Sequence, residues 1–180
     1  MNEINLRELF SRVHNGNQEA FESVYQELSQ PVYTICWRIT QSKETAEDIT
    51  HDVFVKLYST PPDNSVRNIR AWIFQMARNM SIDALRRNAR STGQEQNSNG
   101  ADAYERLHVR MDLETAFTKL PSDEREILAL HLNGQLNFKE IARIVNLSMP
   151  ASYRKYRKAL KKIQTEMNRV VPKSKRFYLP

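Results

Sequence analysis

The side chains best equipped for chemistry lie between Asn68 and Arg87, NIRAWIFQMARNMSIDALRR, where arginines, amides and one tryptophan share a helical repeat. Ile69, Trp72, Ile73, Met76 and Met80 recur three or four residues apart and form an apolar face, while Gln75, Asn79 and Arg86 fall on another. One face packs and the other is left to read a partner. Between Arg67 and Arg90 six arginines stand against a single acid, Asp83, so that partner is expected to be anionic, with nucleic acid the best fit. The chemistry is recognition rather than bond-making.

A second concentration of charge follows the segment Asn137 to Val145. Asn137 with Glu140 three residues on has the form of a capping box, Asn146 tolerates the left-handed turn conformation, and Ser148 and Pro150 suit the start of another helix. That next helix, from Met149 to about Met167, carries Arg154, Lys155, Arg157, Lys158, Lys161 and Lys162, with no acid until Glu166. Like charges spaced along a helix repel, and a polyanion would relieve them. Helix, short turn and basic helix form a helix-turn-helix pattern. In it Ser152, Tyr153 and Lys155 are candidates to read bases, and Arg154, Arg157, Lys158 and Lys161 to hold phosphates. A helical hairpin with a solvated basic face would show the same spacing.

These segments need a scaffold, and the rest of the chain predicts a helical one. The sequence has 180 residues, a formal charge of +6 and only four glycines, and its long stretches of helical periodicity give no case for a sheet. Ala20 to Leu28 and Val32 to Thr40 read as helices parted by Ser29, Gln30 and Pro31. Thr45 to Tyr58 reads as an amphipathic helix with Ala46, Ile49, Val53, Phe54 and Leu57 inward and Glu47, Asp48, His51 and Asp52 outward. A Pro-rich loop then leads to Asn68. The expected plan is all-α, with two small helical domains joined by a flexible linker. Residues 6–88 form the N-terminal domain, residues 89–110 a polar linker, residues 111–167 the C-terminal helix-turn-helix domain, and residues 168–180 a basic tail.

Cys36 is the single cysteine and the four histidines are scattered, so no disulfide, metal site or cofactor is expected. Cys36 itself reads as a small core residue. No nucleophile-base pair or phosphate-cradling glycine loop points to an enzyme. The N-terminus lacks an apolar run of signal-peptide length and no segment suggests a membrane span, so the expectation is a cytoplasmic protein without membrane insertion.

The order of these segments resembles the extracytoplasmic-function group of bacterial sigma factors over roughly Gln18 to Gln164. TAEDITHDVFVKLY (Thr45 to Tyr58) is similar to the family's segment that docks on the clamp of core RNA polymerase. Trp72, Ala77, Arg78, Asn79, Asp83, Leu85, Arg86 and Arg87 match its promoter-binding helix, and Leu120 to Ser148 its C-terminal helix-turn-helix. The resemblance implies that Glu47, Asp48, His51, Asp52, Val55 and Lys56 bind polymerase. It implies that Asn64, Arg67, Asn68, Arg70, Trp72, Gln75, Arg78, Asn79, Arg86 and Arg87 engage the minus-ten element and help open the duplex. Ser148, Ser152, Tyr153, Arg154, Lys155, Arg157, Lys158 and Lys161 would engage the minus-thirty-five element. Core RNA polymerase (clamp and flap regions), promoter DNA and an anti-sigma factor are the partners implied. Pro150, Tyr153 and Tyr156 depart from the family's usual reading helix, so its base preference does not transfer. The residues alone also admit a stand-alone helix-turn-helix regulator or a helical adaptor between proteins.

Overall fold

The computed structural model describes residues 3–63, 65–92 and 113–170, and every regular element among them is a helix. The N-terminal domain contains α1 (Glu3–His14), α2 (Gln18–Thr40), α3 (Lys43–Ser59) and α4 (Ile69–Thr92). The C-terminal domain contains α5 (113–118), α6 (Ser122–Leu132), α7 (Phe138–Ile144) and α8 (Met149–Val170). Most of the expected linker and tail, and Asn64, lie outside the described residues.

Local signals set most of the boundaries. At the end of α1, Gly16 takes φ 78, and Asn17 then caps α2 by accepting the Ala20 amide at 2.7 Å. Gln41 closes α2 in the left-handed region, and Ser42 caps α3 through the Thr45 amide at 3.3 Å. Both halves of the capping box on α7 form, with the Glu140 amide to Asn137 at 3.0 Å and the Asn137 amide to Glu140 at 2.9 Å. Asn146 sits at φ 55 and the Ser148 hydroxyl accepts the Ala151 amide at 3.3 Å, completing the turn into α8. Between α6 and α7 only glycine fits at position 134, because a Cβ there would come 2.5 Å from the Leu130 carbonyl oxygen.

The expected break at Pro31 does not occur, and α2 runs unbroken through it. An interior proline costs about 3 kcal/mol, but Leu28, Val32, Ile35 and Cys36 around it are all fully buried. Burial worth about 1.5–3 kcal/mol for each large apolar side chain outweighs one lost hydrogen bond. Continuity gives α2 its role as the central post, touching α1, α3, α4 and α6. Cys36 is a core residue as expected, its thiol pushed up to about 11 by burial.

Leu6 and Phe10 of α1, Leu57 of α3 and Ile69, Ile73 and Phe74 of α4 complete the core around α2. A smaller cluster of Phe117, Leu120, Leu128 and Ala159 holds the C-terminal domain together. The two domains are not held apart. Ile127, Leu130, Leu136 and Ile141 belong to the same apolar cluster as the N-terminal core, so α6 and α7 lie directly on α2 and α4.

Candidate nucleic-acid interface

On α3 the inward set Ala46, Ile49, Val53, Phe54 and Leu57 is buried, which turns Glu47, Asp48, His51, Asp52, Val55 and Lys56 outward, all of them exposed. This face is acidic but not purely polar. Val55 is 51% exposed and Tyr58 54%. Tyr58 and Phe54 pack edge-on against Phe21 and Tyr25 of α2, at ring separations of 5.0 Å for Phe21–Tyr58 and 4.8 Å for Tyr25–Phe54. The aromatic set was not singled out from the sequence, although each pair shows helical i, i+4 spacing: 21 with 25 and 54 with 58.

Along α4 the apolar face is broader than the periodicity suggests, since Phe74, Ala77, Ser81 and Ala84 are buried together with Ile69 and Ile73. Trp72 is partly buried and packs against the core. Gln75, Asn79, Arg86 and Arg87 are exposed as expected, and Arg67 is exposed just before the helix. Asn79 and Arg86 border a shallow hollow of about 220 Å³ with Arg78, Ile82 and Asp83. Arg86 also meets Asp83 at 3.5 Å, a surface pair of small energetic weight.

The remaining candidates on α4 are already engaged. The Asn68 side-chain oxygen accepts the Ala71 amide at 2.7 Å, capping α4, and its nitrogen donates to Glu140 of α7 at 2.5 Å. Arg70 is buried and donates to the Gly134 carbonyl and to Glu27, both at 3.5 Å. Arg78 forms an ion pair with Glu126 of α6, both side chains largely buried. Burial pushes the Glu126 carboxyl above its usual range, and the hydrogen bond from Arg78 opposes this. Asn68, Arg70 and Arg78 are therefore not free to face DNA in this arrangement: their polar ends serve the fold and the domain contact.

A further link joins α2 to the C-terminal domain. Arg38, 6% exposed, donates through both terminal nitrogens to the Glu114 carboxylate, at 2.7 Å for the longer bond, and stacks on the rings of Phe117 and Trp37. Neither this arginine nor its partner is signalled by local sequence. Nearby Arg125 is also buried, and burial and the Arg38 charge both lower its pKa. Two cations thus share this contact.

In the helix-turn-helix, Tyr153 is 44% exposed and packs edge-on to Phe138, while Arg154, Arg157, Lys158 and Lys161 are exposed. The Arg157 guanidinium donates to the Tyr153 hydroxyl at 3.4 Å. Ser148 is spent on the cap of α8. Ser152 is fully buried with its hydroxyl donating to the Ser148 carbonyl at 3.1 Å, so it is a packing residue and not a base reader. The charge along α8 is also less unrelieved than it reads in sequence. Asp123 of α6 accepts from Lys155, and buried Glu124 meets Lys162 at 2.7 Å and Lys158 at 3.6 Å. These acids come from another helix, outside any i, i+4 window.

Among the described residues no group of His, Cys, Asp or Glu side chains could hold a metal ion, and no helix is long and apolar enough to cross a membrane.

Comparison with known proteins agrees with this layout. The family model Sigma-70 region 2 matches residues 24–91, and Sigma-70, region 4 matches residues 110–163. The chain is 27% identical over 135 residues to the ECF RNA polymerase sigma factor SigM of Bacillus subtilis, covering 71% of this chain and 82% of that protein. It is 24% identical over 163 residues to SigW of the same species, covering 81% and 87%. Among solved structures, the sigma factor RpoE from Bartonella quintana, in complex with the anti-sigma factor NepR, superposes with a TM-score of 0.70 at 18% identity, covering 82% of this chain and 96% of that one. CnrH, in complex with the cytosolic domain of CnrY, superposes at 0.63 and 20% identity, covering 93% and 99%. Regions 2 and 4 fall in order on the two helical domains and together take in about two thirds of the sequence. The chain belongs to the extracytoplasmic-function sigma factors, which direct promoter recognition and the start of transcription.

Proposed function

We propose that the exposed acidic face of α3 docks on the clamp of core RNA polymerase, that α4 and the loop before it engage and open the minus-ten element, and that α8 engages the minus-thirty-five element, with the C-terminal domain reaching the flap. The observation that carries this reading is the segregation of charge within the region 2 match. Glu47, Asp48 and Asp52 stand outward on α3 while Gln75, Asn79, Arg86 and Arg87 stand outward on α4. One surface suits a basic protein partner and the other a nucleic acid.

The role is binding and not catalysis, carried out in the cytoplasm. Opening a base step costs a few kcal/mol, which contacts to the displaced strand must recover. Minus-thirty-five contact falls to Tyr153, Arg154, Arg157, Lys158 and Lys161, with Lys155 available once it leaves Asp123. The domain contact adds an order of events. The α3 face is open in the free chain, whereas Asn68, Arg70 and Arg78 are held by α6, α7 and the turn between them. Polymerase therefore binds first, and promoter engagement follows as the domains part. The sigma factor solved with the anti-sigma factor NepR supports a similar restraint on this chain, by a protein that favours the closed arrangement.

Gel filtration of the chain with purified core polymerase tests this reading. The two are expected to coelute, and the chain alone should bind promoter DNA weakly with a steep salt dependence. Separate elution, combined with tight binding to a duplex operator by the chain alone, would instead establish a stand-alone regulator.

A further inference from the structure

The first helix lies outside the region 2 match, which begins at residue 24, yet it reaches polar groups about sixty positions further along the chain within the N-terminal domain. The Arg7 guanidinium donates to two successive carbonyls, Val66 at 2.8 Å and Arg67 at 2.9 Å. One turn earlier, the Glu3 carboxylate accepts the Ile69 amide at 2.5 Å and the Arg70 amide at 3.4 Å. The backbone where the loop enters α4 is therefore held from one side by two charged side chains of α1.

The chemistry at each atom is specific. The first amides of a helix have no partner within it, and a carboxylate placed there satisfies them and complements the helix dipole. Asn68 meets the next amide, at Ala71, so Glu3 takes the two that Asn68 cannot reach. Carbonyls at a loop end have no ladder to join, and a guanidinium can hold two of them in a fixed relation. Arg7 stays within 3.9 Å of Glu3, so the pair acts as one clasp. Leu6 and Phe10, both buried, seat α1 on the core and set where the clasp lies. The segment it holds has local order of its own at Asp63, which accepts the Ser65 amide at 2.8 Å, and Val66 packs against the core, while the polar hold on its backbone comes from α1.

Resting on the promoter reading above, we propose that Glu3 and Arg7 of α1 are positioning residues for strand opening: they preset residues 65–68 and the first turn of α4 in the conformation that receives the displaced strand. A loop that is already ordered does not lose conformational freedom when DNA arrives. Without the clasp that loss falls on the opening step itself. Polymerase docking on α3 and upstream contact by α8 do not involve it.

The test compares a duplex promoter with a template mismatched, and so already open, across the minus-ten element, using holoenzyme reconstituted from full-length chain and core polymerase. Arg7→Ala is expected to reduce permanganate reactivity of the opened region and run-off product on the duplex about tenfold, as loss of hydrogen bonds from a charged donor suggests. On the mismatched template it should match wild type within about twofold. Arg7→Lys, which keeps a cationic donor, should recover part of the duplex activity, and Glu3→Gln should show a smaller defect of the same kind. Polymerase coelution of these variants should stay at the wild-type value, and their thermal melts should remain cooperative with only a small drop in midpoint. Equal loss on both templates, or a fall in polymerase coelution, would make α1 a general structural support and overturn the proposal, as would full duplex activity in Arg7→Ala. A wild-type chain inactive on both templates would refute the promoter reading itself.

Discussion

The outer faces of α3 and α4 differ in a way that charge alone does not reveal. Both belong to the region 2 match and both present a polar stripe opposite a buried one. On α3 the whole stripe is open, from Glu47 to Lys56. On α4 the stripe is divided: Gln75, Asn79, Arg86 and Arg87 are open, whereas Asn68, Arg70 and Arg78 hold groups of the C-terminal domain. On the reading proposed above, the difference leaves the polymerase-docking face open while part of the promoter-binding face is covered. The cover is ionic and amide in character. Glu126 and Glu140 offer Arg78 and Asn68 the same anionic acceptor chemistry that a phosphate would offer.

The sharpest way to break this comparison is to invert the open face. Asp48→Arg together with Asp52→Arg should lower affinity for core polymerase by about 100-fold, since like charges facing each other cost several kcal/mol. The fold should be retained, because both residues are exposed. Titration of labelled polymerase alongside a circular dichroism melt measures the two, and wild-type affinity would remove α3 from the interface.

Uncovering the closed face comes next. Removing one partner of a buried ion pair leaves the other charge stranded, at about 3–5 kcal/mol. In Glu114→Ala with Glu126→Ala, the partners left are Arg38 and Arg78, at 6% and 20% side-chain exposure. That variant should part the domains, increase the radius of gyration in solution scattering, and bind minus-ten single strand several-fold more tightly than wild type. An unchanged radius and affinity would show that the contact does not restrain α4.

Much of this arrangement is legible in residues close together in the chain. The box of Asn137 and Glu140, the turn at Asn146, the cap at Ser148 and the inward set of α3 are local chemistry, and all form as their spacing indicates. What the chain does not announce is decided by tertiary packing. Pro31 reads as a break until the apolar residues around it are seen to be buried on every side. Ser152 reads as a reader until Ala159 and Tyr156 set the rotation of α8, which turns that hydroxyl inward. Asp123 and Glu124 neutralise lysines more than thirty positions away. Glu3, Arg7, Arg38 and Glu126 are ordinary surface residues by composition, and only the closed fold gives them partners.

Smaller effects sharpen the contrast between α4 and α8. Arg154→Ala with Arg157→Ala should weaken upstream protection and reduce the salt slope of DNA binding by about two, one for each phosphate that the variant no longer neutralises. Permanganate reactivity at the minus-ten region, referred to the amount of complex formed, should stay unchanged. Equal loss of both signals would mean that α8 does not act separately from α4.

The weakest effect concerns acid. The hydrogen bond from Lys155 holds the Asp123 carboxyl below its usual range. A folded pKa below the unfolded one contributes stability above the unfolded value, and that contribution is lost as pH falls through the folded value. Asp123→Asn should therefore destabilise the chain by a few tenths of a kcal/mol at neutral pH, given how exposed the pair is. The difference from wild type should vanish on acidification through the carboxylate range, as thermal melts across pH would show.

Run-off transcription on genomic fragments by core polymerase, with and without the full-length chain, tests the central claim most directly. The account predicts discrete transcripts that appear only with the chain and disappear with Asp48→Arg and Asp52→Arg. Transcripts that persist in the double variant, or none with wild type at any site, would contradict it.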